Sequence, residues 1–311
     1  MVKAIKVMLI PNNVQKTKMF QYAGASRFAY NWALAREIEN YEKGGGFISD
    51  AGLRKEFTKL RHSDEYAWLL NISNNVTKQA IKDACTAYKN FFRGLQKFPR
   101  FKSKKRSMPK FYQDNVKIRF SNTHVKFEGF SSSRKANKQK MNWVRLAEHG
   151  RIPTNAKYMN PRISFDGLNW WISVCVEFPD CRETLNDDGV GIDLGIKSLA
   201  VCSDVHTFDN PKNLQKSMSR LQLLQKRLSR KQKGSANRNK ARIKVAHLLE
   251  HIANQRKDHL HKITHTLTHE NQVRTICMED LYVKGMQRNH HLAGAVGDAS
   301  FGMFLSLLEY K

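Results

Sequence analysis

The sequence predicts an α+β protein of several domains, in which a strand-rich domain is interrupted by helices and followed by an α/β domain. Residues 2–10 and 112–178 alternate apolar and polar side chains with the period of two that strands show. Residues 16–92 have helical spacing instead, and after the polar break at 182–188 apolar strand segments alternate with helical ones. Because residues 2–10 lie far from the other strands in sequence, we expect them to complete a small β-barrel into which the helices are inserted.

The charge of the chain indicates a polyanionic partner. Lys and Arg number 54 against 27 Asp and Glu, for a formal net charge of +27. An enzyme of small metabolites has no need of this excess, which weakens a compact state by self-repulsion. Phosphates relieve that repulsion, since each contact with Lys or Arg releases a counterion. A membrane partner is not expected, because no apolar run approaches the roughly 20 residues of a spanning helix.

The cysteines and the N-terminus indicate a cytoplasmic protein. The opening MVKAIKVMLIPNN lacks the long apolar stretch and small-residue cleavage site of a signal peptide. An odd number of dispersed cysteines without a Cys-x-x-Cys pair predicts free thiols and a reducing compartment, with neither disulfides nor a zinc site. The five are Cys85, Cys175, Cys181, Cys202 and Cys277.

A polar stripe marks the predicted helix over 74–92. Four side chains recur at i, i+3, i+4 and i+7 and therefore share one helix face. Amides and lysines together are suited to base edges and phosphates, although an ordinary solvated face explains the pattern equally well. The four are Asn75, Lys78, Gln79 and Lys82.

Two further segments are basic. The connector 98–111 contains two prolines and is expected to be extended, with Phe98 and Phe101 anchoring it and its cations contacting phosphates. The region 214–270 predicts a helical hairpin with a very basic tip. A basic loop also lies among the strands. The candidate phosphate contacts are Arg100, Lys102, Lys104 and Lys105 in the connector and Arg230, Lys231, Lys233 and Arg238 at the tip; the loop holds Arg134, Lys135, Lys138 and Lys140.

Two acidic residues follow apolar strand segments. Asp193 comes after GVGI, and Glu279 after VRTICM. A carboxylate at such a place is costly without a cation, and a divalent metal is the usual partner. A cap or turn residue is the alternative for a single strand-end acid. The pair, separated by a helical insertion, instead predicts an RNase H-like fold whose acids bind two Mg²⁺ or Mn²⁺ ions.

Several motifs resemble the transposon-encoded TnpB family of RNA-guided nucleases, which are related to type V CRISPR effectors. GIDLGIKSLAVCSD resembles the first RuvC motif of that family and ICMEDLYVKGM the second. The connector 98–111, RFAYNWAL (27–34) and GDASFGMFLSLLEYK (297–311) match as well. The resemblance implies that Asp193 and Glu279 are the first two catalytic acids. It also implies nucleic-acid contacts on the RFAYNWAL helix, through Arg27 and Asn31.

The resemblance implies a domain assignment and a set of partners. Residues 1–14 and 98–183 would form a β-barrel wedge domain, and 15–97 a helical recognition domain. Residues 186–311 would form an incomplete RuvC-like domain with a helical-hairpin insertion at 214–270. The expected partners are a guide RNA and target double-stranded DNA next to a short motif. The stoichiometry on the RNA stays open and includes a homodimer, and the expected location is the cytoplasm of a prokaryote, at the nucleoid.

The sequence departs from the family after LEYK. The family has a third catalytic Asp and a four-cysteine zinc insertion beyond this motif, and Asp298 is a poor substitute for that acid. We therefore expect Mg²⁺ to bind weakly and unproductively at Asp193 and Glu279. One hypothesis is a nuclease-deficient, RNA-guided DNA-binding protein, such as a transcriptional repressor. The alternative is an RNA-guided, Mg²⁺-dependent DNA endonuclease of which this is a truncated chain.

Overall fold

The computed structural model describes residues 2–130, 141–179, 186–270 and 273–311, with the backbone alone for 186–188. The chain divides into two compact units, residues 1–180 and 181–311, and each is described by itself. The predicted basic loop with Arg134, Lys135, Lys138 and Lys140 lies outside the described residues.

The first unit begins with a strand and three helices and continues with short strands. Asn12 and Gln15 form a capping box at the start of the first helix, and Ser73 caps the third. The elements are β1 (Val2–Ile10), α1 (Asn13–Glu42), α2 (Asp50–Arg61), a 3₁₀ segment (Asp64–Asn71), α3 (Asn74–Phe92), β2 (Lys110–Tyr112), β3 (Arg119–Phe120), β4 (His124–Lys126), β5 (Trp143–Leu146), β6 (Tyr158–Phe165) and β7 (Trp170–Glu177).

The strands of the first unit form one antiparallel sheet in the order β2-β6-β7-β1-β5-β4-β3. Strand β1 lies at its centre and pairs with β7 from Val2↔Glu177 to Leu9↔Trp170, which confirms that residues 2–10 join the distant strands. The expected closed barrel is not seen in the described residues. Strands β2 and β3 are the two ends of the order, and with three and two residues they offer few backbone groups for closure.

Helices and sheet of the first unit share one apolar core. Tyr22 of α1 is fully buried and packs edge-on against Phe111 of β2 and against Phe130. Its hydroxyl donates a hydrogen bond of 2.6 Å to the carbonyl oxygen of Gly129. Helix α1 therefore packs on the sheet as well as on α3. The division into wedge and recognition domains stays a prediction.

In its described residues, the second unit contains a four-stranded sheet, a helical hairpin and three short helices. Its elements are β8 (Asn186–Leu194), β9 (Ser198–Cys202), β10 (Thr207–Asp209), α4 (Asn213–Ser229), α5 (Ala236–His265), a π-helical turn (Thr266–Glu270), β11 (Val273–Met278), α6 (Val283–Met286), α7 (Ala293–Ala299) and α8 (Phe301–Tyr310). The closing segment is broken at Ser300, whose φ of 58° ends α7 and begins α8.

The sheet of the second unit has the order β10-β9-β8-β11. Strand β8 pairs antiparallel with β9 and parallel with β11, and the α4–α5 hairpin lies between β10 and β11 in the chain. Val190, Ile192 and Leu194 of β8 enter a core with residues of α5, α7 and α8. This mixed α/β arrangement agrees with the predicted fold class, while its assignment as RuvC-like stays a prediction. No helix among the described residues is long and apolar enough to cross a membrane.

The turn between β8 and β9 requires glycine at position 195. A Cβ atom there would lie 2.8 Å from the carbonyl oxygen of Ser198, which is backbone and cannot move aside cheaply. We expect Gly195→Ala to lower the free energy of unfolding by roughly 1–3 kcal/mol, as overpacking does. Gly302→Ala is the control, since its Cβ meets nothing within 4 Å and helix α8 favours alanine. Chemical denaturation followed by circular dichroism compares the two variants. A free energy of unfolding that is the same in Gly195→Ala as in the wild type would contradict this turn geometry.

Candidate functional site

The pairing of β8 with β11 brings Asp193 and Glu279 to the same edge of the sheet. Ile192 is in register with Met278 in this parallel pair. Asp193 is the next residue of β8, and Glu279 directly follows β11. Parallel strands end at a common edge, so the carboxyl groups become neighbours despite their separation in sequence. Both residues are exposed.

The alternation of β8 sets the direction of Asp193. Ile192 is 4% exposed and Leu194 is 8% exposed, and both enter the core. Asp193 stands between them and therefore leaves the opposite face of the sheet. The backbone N–H of Gly191 donates to the Ser203 hydroxyl at 3.0 Å, which ties β8 to the end of β9. The buried neighbours thus hold the carboxylate toward solvent, where an ion has access to it.

The two carboxyl groups interact directly. A hydrogen bond with Asp193 and its like charge raise the pKa of Glu279 above its ordinary value, and desolvation contributes. Such a pair shares a proton at low pH and repels itself when both groups are ionised, so a cation would be bound more tightly as the proton leaves. Exposed carboxylate oxygens are suited to Mg²⁺ or Mn²⁺. Among the described residues, no group of three or more His, Cys, Asp or Glu side chains is gathered around one point.

Asp298 has a different role from these two acids. Its side chain is 6% exposed and accepts hydrogen bonds from the backbone N–H groups of Leu214 and Gln215, at the start of α4. Arg256 of α5 donates to the same carboxylate at 3.0 Å. The carboxylate therefore satisfies a helix N-terminus and a guanidinium within the second unit.

The predicted polar stripe of α3 divides into two pairs. Asn75 donates to Glu128 at 3.0 Å and Gln79 donates to Asp83 at 2.9 Å, so both amides have partners within the protein. Lys78 and Lys82 are exposed. The nucleic-acid contacts predicted for the stripe stay a prediction, and the two lysines are its members that extend into solvent.

Asp83 also forms an ion pair that the sequence analysis missed. Arg162 of β6 makes a two-pronged contact with the Asp83 carboxylate, whose second bond is 3.0 Å. Desolvation raises the pKa of Asp83, but hydrogen bonds from Arg162 and Gln79 outweigh it, and the pKa is lowered overall. No local signal marks Arg162, because its partner lies on a helix from a distant part of the chain.

The connector is fixed to α1 through Asn31. Its side-chain amide donates to the carbonyl oxygen of Lys102 and its oxygen accepts from the Lys102 N–H, each at 2.8 Å. The Lys102 ammonium lies 3.1 Å from the centroid of the Tyr30 ring. Burial, and then the charge of Lys110, lowers the pKa of Lys102 to about 8. Phe98 packs edge-on against Phe91 and is 46% exposed, whereas Phe101 is 57% exposed, so anchoring by these two rings stays a prediction.

The remaining candidates differ in exposure. Arg27 on α1 is half-buried. At the hairpin tip, Arg238 donates to the carbonyl oxygens of Leu228 and Lys231 and so closes the turn after α4. The exposed candidates are Arg100, Lys104 and Lys105 in the connector and Arg230, Lys231 and Lys233 at the tip.

Two family models match the chain. Residues 173–290 match the OrfB_IS605 model, described as "Probable transposase", and this range includes both acids. Residues 1–46 match a model described as "Helix-turn-helix domain", where the structure has strand β1 followed by the single long helix α1. The match thus reports relatedness in sequence, and the local structure is of another kind.

Curated relatives match almost the whole chain. A "Putative RNA-guided DNA endonuclease" of Streptomyces pristinaespiralis is 31% identical over 309 residues, covering 99% of this chain and 74% of that protein. The "Putative RNA-guided DNA endonuclease InsQ" of Escherichia coli (strain K12) is 32% identical over 315 residues, with the same coverage.

A solved structure shares the fold. The Cas12f1 chain of a Cas12f1–sgRNA–target DNA complex, determined by cryo-EM, has a TM-score of 0.57 at 12% identity. The similarity covers 100% of this chain and 86% of that one. At 12% identity, this comparison supports a shared fold alone.

The acid pair makes a titration prediction. Asp193→Asn should lower the pKa of Glu279 toward its ordinary value, because the like charge is removed and an amide can donate to the ionised form. NMR titration of ¹³C-labelled glutamate carboxyl groups measures this. Asp280→Asn removes the exposed acid next to Glu279 and should shift its pKa much less. If the two variants behave alike, Asp193 and Glu279 do not share a site.

Lys102 makes a second titration prediction. A phosphate beside its ammonium would stabilise the charged form and raise the pKa from about 8 toward the ordinary value of a lysine. We expect this rise when nucleic acid binds, measured by ¹⁵N NMR of the lysine side chains in the free and RNA-bound protein. A Lys102 pKa that stays near 8 in the complex would limit this residue to anchoring the connector.

Proposed function

Because this chain belongs to the TnpB family, we propose that it binds a guide RNA and uses it to bind double-stranded DNA next to a short motif. Relatives about a third identical over nearly its full length are named as RNA-guided DNA endonucleases. The solved complex with a similar fold contains a guide RNA and target DNA. In such proteins base pairing reads the target sequence, while the protein contacts backbones and the adjacent motif.

The observation that carries this proposal is the cationic surface in both units. The net charge is +27, and lysines of α3, of the connector and of the hairpin tip are exposed. Exposed cations spread over separate elements are suited to a long, curved polyanion rather than to one small anionic ligand. On α3, Lys78 and Lys82 are the candidates for contacts with the short DNA motif next to the target sequence.

A second candidate function, RNA-guided DNA cleavage, is favoured by the acid pair. Asp193 and Glu279 are neighbours at an accessible sheet edge and fit a divalent ion as two carboxylate ligands. A divalent ion bound there would supply electrostatic stabilisation of a phosphodiester undergoing hydrolysis. The residues themselves would hold that ion, and the buried Ile192 and Leu194 would fix the direction of Asp193.

We favour DNA binding over DNA cleavage as the function, because of the geometry of the described acids. Two carboxylates meet at the sheet edge, whereas the Asp298 carboxylate is engaged by Leu214, Gln215 and Arg256. A pair of ligands holds a metal ion less firmly than a larger set with fixed geometry. A complex that occupied DNA near a promoter without cutting it would act as a transcriptional repressor.

One assay separates the two functions. The complex is purified with its copurifying RNA, which is sequenced, and is given duplex DNA that matches the guide, with Mg²⁺. We expect binding at nanomolar concentrations and little cleavage. Asp193→Ala and Glu279→Ala should leave binding within about twofold, because the acids would contact metal rather than phosphate directly.

The controls decide between outcomes. DNA with a scrambled target should bind at least tenfold more weakly if the guide directs binding. Rapid cleavage by the wild type that is lost in Asp193→Ala would replace the binding proposal with the endonuclease. Equal affinity for matched and scrambled DNA would exclude RNA guidance for this chain.

A further inference from the structure

The helical hairpin of α4 and α5 has two chemically different sides. Leu221, Val245, Leu248 and Ile252 form the small core between the helices. On one side of that core, basic side chains recur at the spacing of a single helix face. They are Arg220 and Arg227 on α4, Lys231 just after it, and Lys240, Lys244, His247 and His251 on α5. The side across the core is nearly neutral, with Met218, Gln222 and Gln225 on α4 and Arg242, Ala246 and Leu249 on α5.

Two adjoining cavities run along the basic side. Their volumes are about 680 and 350 Å³, and Leu224, Arg227 and Lys244 line both. We call the two together the hairpin groove. Its other lining residues are Arg220, Leu223, His247, Leu248 and His251 in the larger cavity and Lys231, Asn237, Lys240 and Ala241 in the smaller one.

The charge of this segment is one-sided. Residues 210–249 contain 12 Lys and Arg and no Asp or Glu. A surface this basic repels itself. The acids of the hairpin come after residue 249: Glu250 lies 3.6 Å from His247, and Asp258 is further along α5. The groove also exposes apolar surface, since Leu223 is 48% exposed. The occupant that fits must therefore supply both negative charge and flat apolar surface.

Unpaired RNA has both properties. Its phosphates match the arginines and lysines of the groove, and its splayed bases can lie on leucine side chains or stack on histidine and arginine. A duplex would present its phosphates and leave the leucines in water. We propose that the hairpin groove binds a single-stranded stretch of the guide RNA. This inference rests on the proposed function and adds a specific site to it.

The salt dependence of RNA binding tests the groove. The variant Arg227→Gln/Lys244→Gln removes the two charges that both cavities share. The matched control Lys226→Gln/Arg242→Gln removes one lysine and one arginine from the same two helices, outside the groove. The probe is the RNA recovered from the wild-type complex, transcribed in vitro and bound to RNA-free protein at several salt concentrations.

For single strands, the slope of log affinity against log salt changes by about 0.7 for each phosphate contact. We expect the slope of the groove variant to fall by about 1.4 relative to wild type. The control should keep a slope close to that of wild type. Both variants change exposed side chains, so circular dichroism should show the same helix content in each.

A photo-crosslinking arm identifies the occupant. The crosslinking residue p-benzoylphenylalanine replaces Leu223 in the groove or Met218 on the opposite side, and the guide complex is irradiated with target DNA present. RNA crosslinked at 223 and not at 218 supports the proposal. DNA or a second protein copy crosslinked at 223 overturns it, as do equal slopes for the two double variants. If wild-type protein binds no defined RNA, the proposed function fails as well, which separates the two failures.

Discussion

The parallel pairing of β8 with β11 is the interaction on which the candidate catalytic centre depends. The α4–α5 hairpin lies between these strands in the chain, so no local preference brings their ends together. The register Ile192↔Met278 makes Asp193 and Glu279 neighbours, and the buried Ile192 and Leu194 fix the face that Asp193 leaves. A slip of one residue would turn Asp193 into the core, where an unpaired carboxylate is costly. The hydrophobic pattern of β8 therefore protects the position of its charged residue.

A second constraint acts at Asp298, which links three helices of the same unit. It lies on α7, accepts from the first amides of α4 and pairs with Arg256 of α5. Lys212, which precedes α4, has a φ of 49° and provides no side-chain cap, so the Asp298 carboxylate fills that role from elsewhere in the chain. The three acids therefore have different roles. The exposed pair is accessible to a cation, whereas Asp298 is buried in contacts that hold the base of the hairpin.

The sequence was informative where a structure depends on periodicity. Helix α3 spans 74–92 as predicted, because its apolar face repeats at helical spacing and Ser73 caps it. The expected barrel required long-range pairing between strands too short to show a pattern. The break at Ser300 comes from a positive φ, which cannot be predicted from neighbouring residues that are compatible with a helix. The polar stripe of α3 shows a further limit. Periodicity identified the face that avoids the core, but it could not show that Asn75 would bond Glu128.

The distribution of ion pairs carries the argument for RNA one step further. In the first unit, cations such as Arg36, Lys117 and Arg162 have carboxylate partners. Residues 210–249 contain no acid, and the carboxylates paired with α5 come later in the chain, at Glu250, Asp258 and Asp298. The described core between the two helices is a small set of apolar residues. A two-helix hairpin with a small core gains little free energy from burying apolar surface. The repulsion among its cations is therefore large relative to the free energy that keeps it folded. Bound RNA would remove that repulsion through its phosphates and would cover exposed leucines with its bases. On this view RNA is part of what keeps the hairpin folded, and the position of the cations on one side sets where the RNA lies.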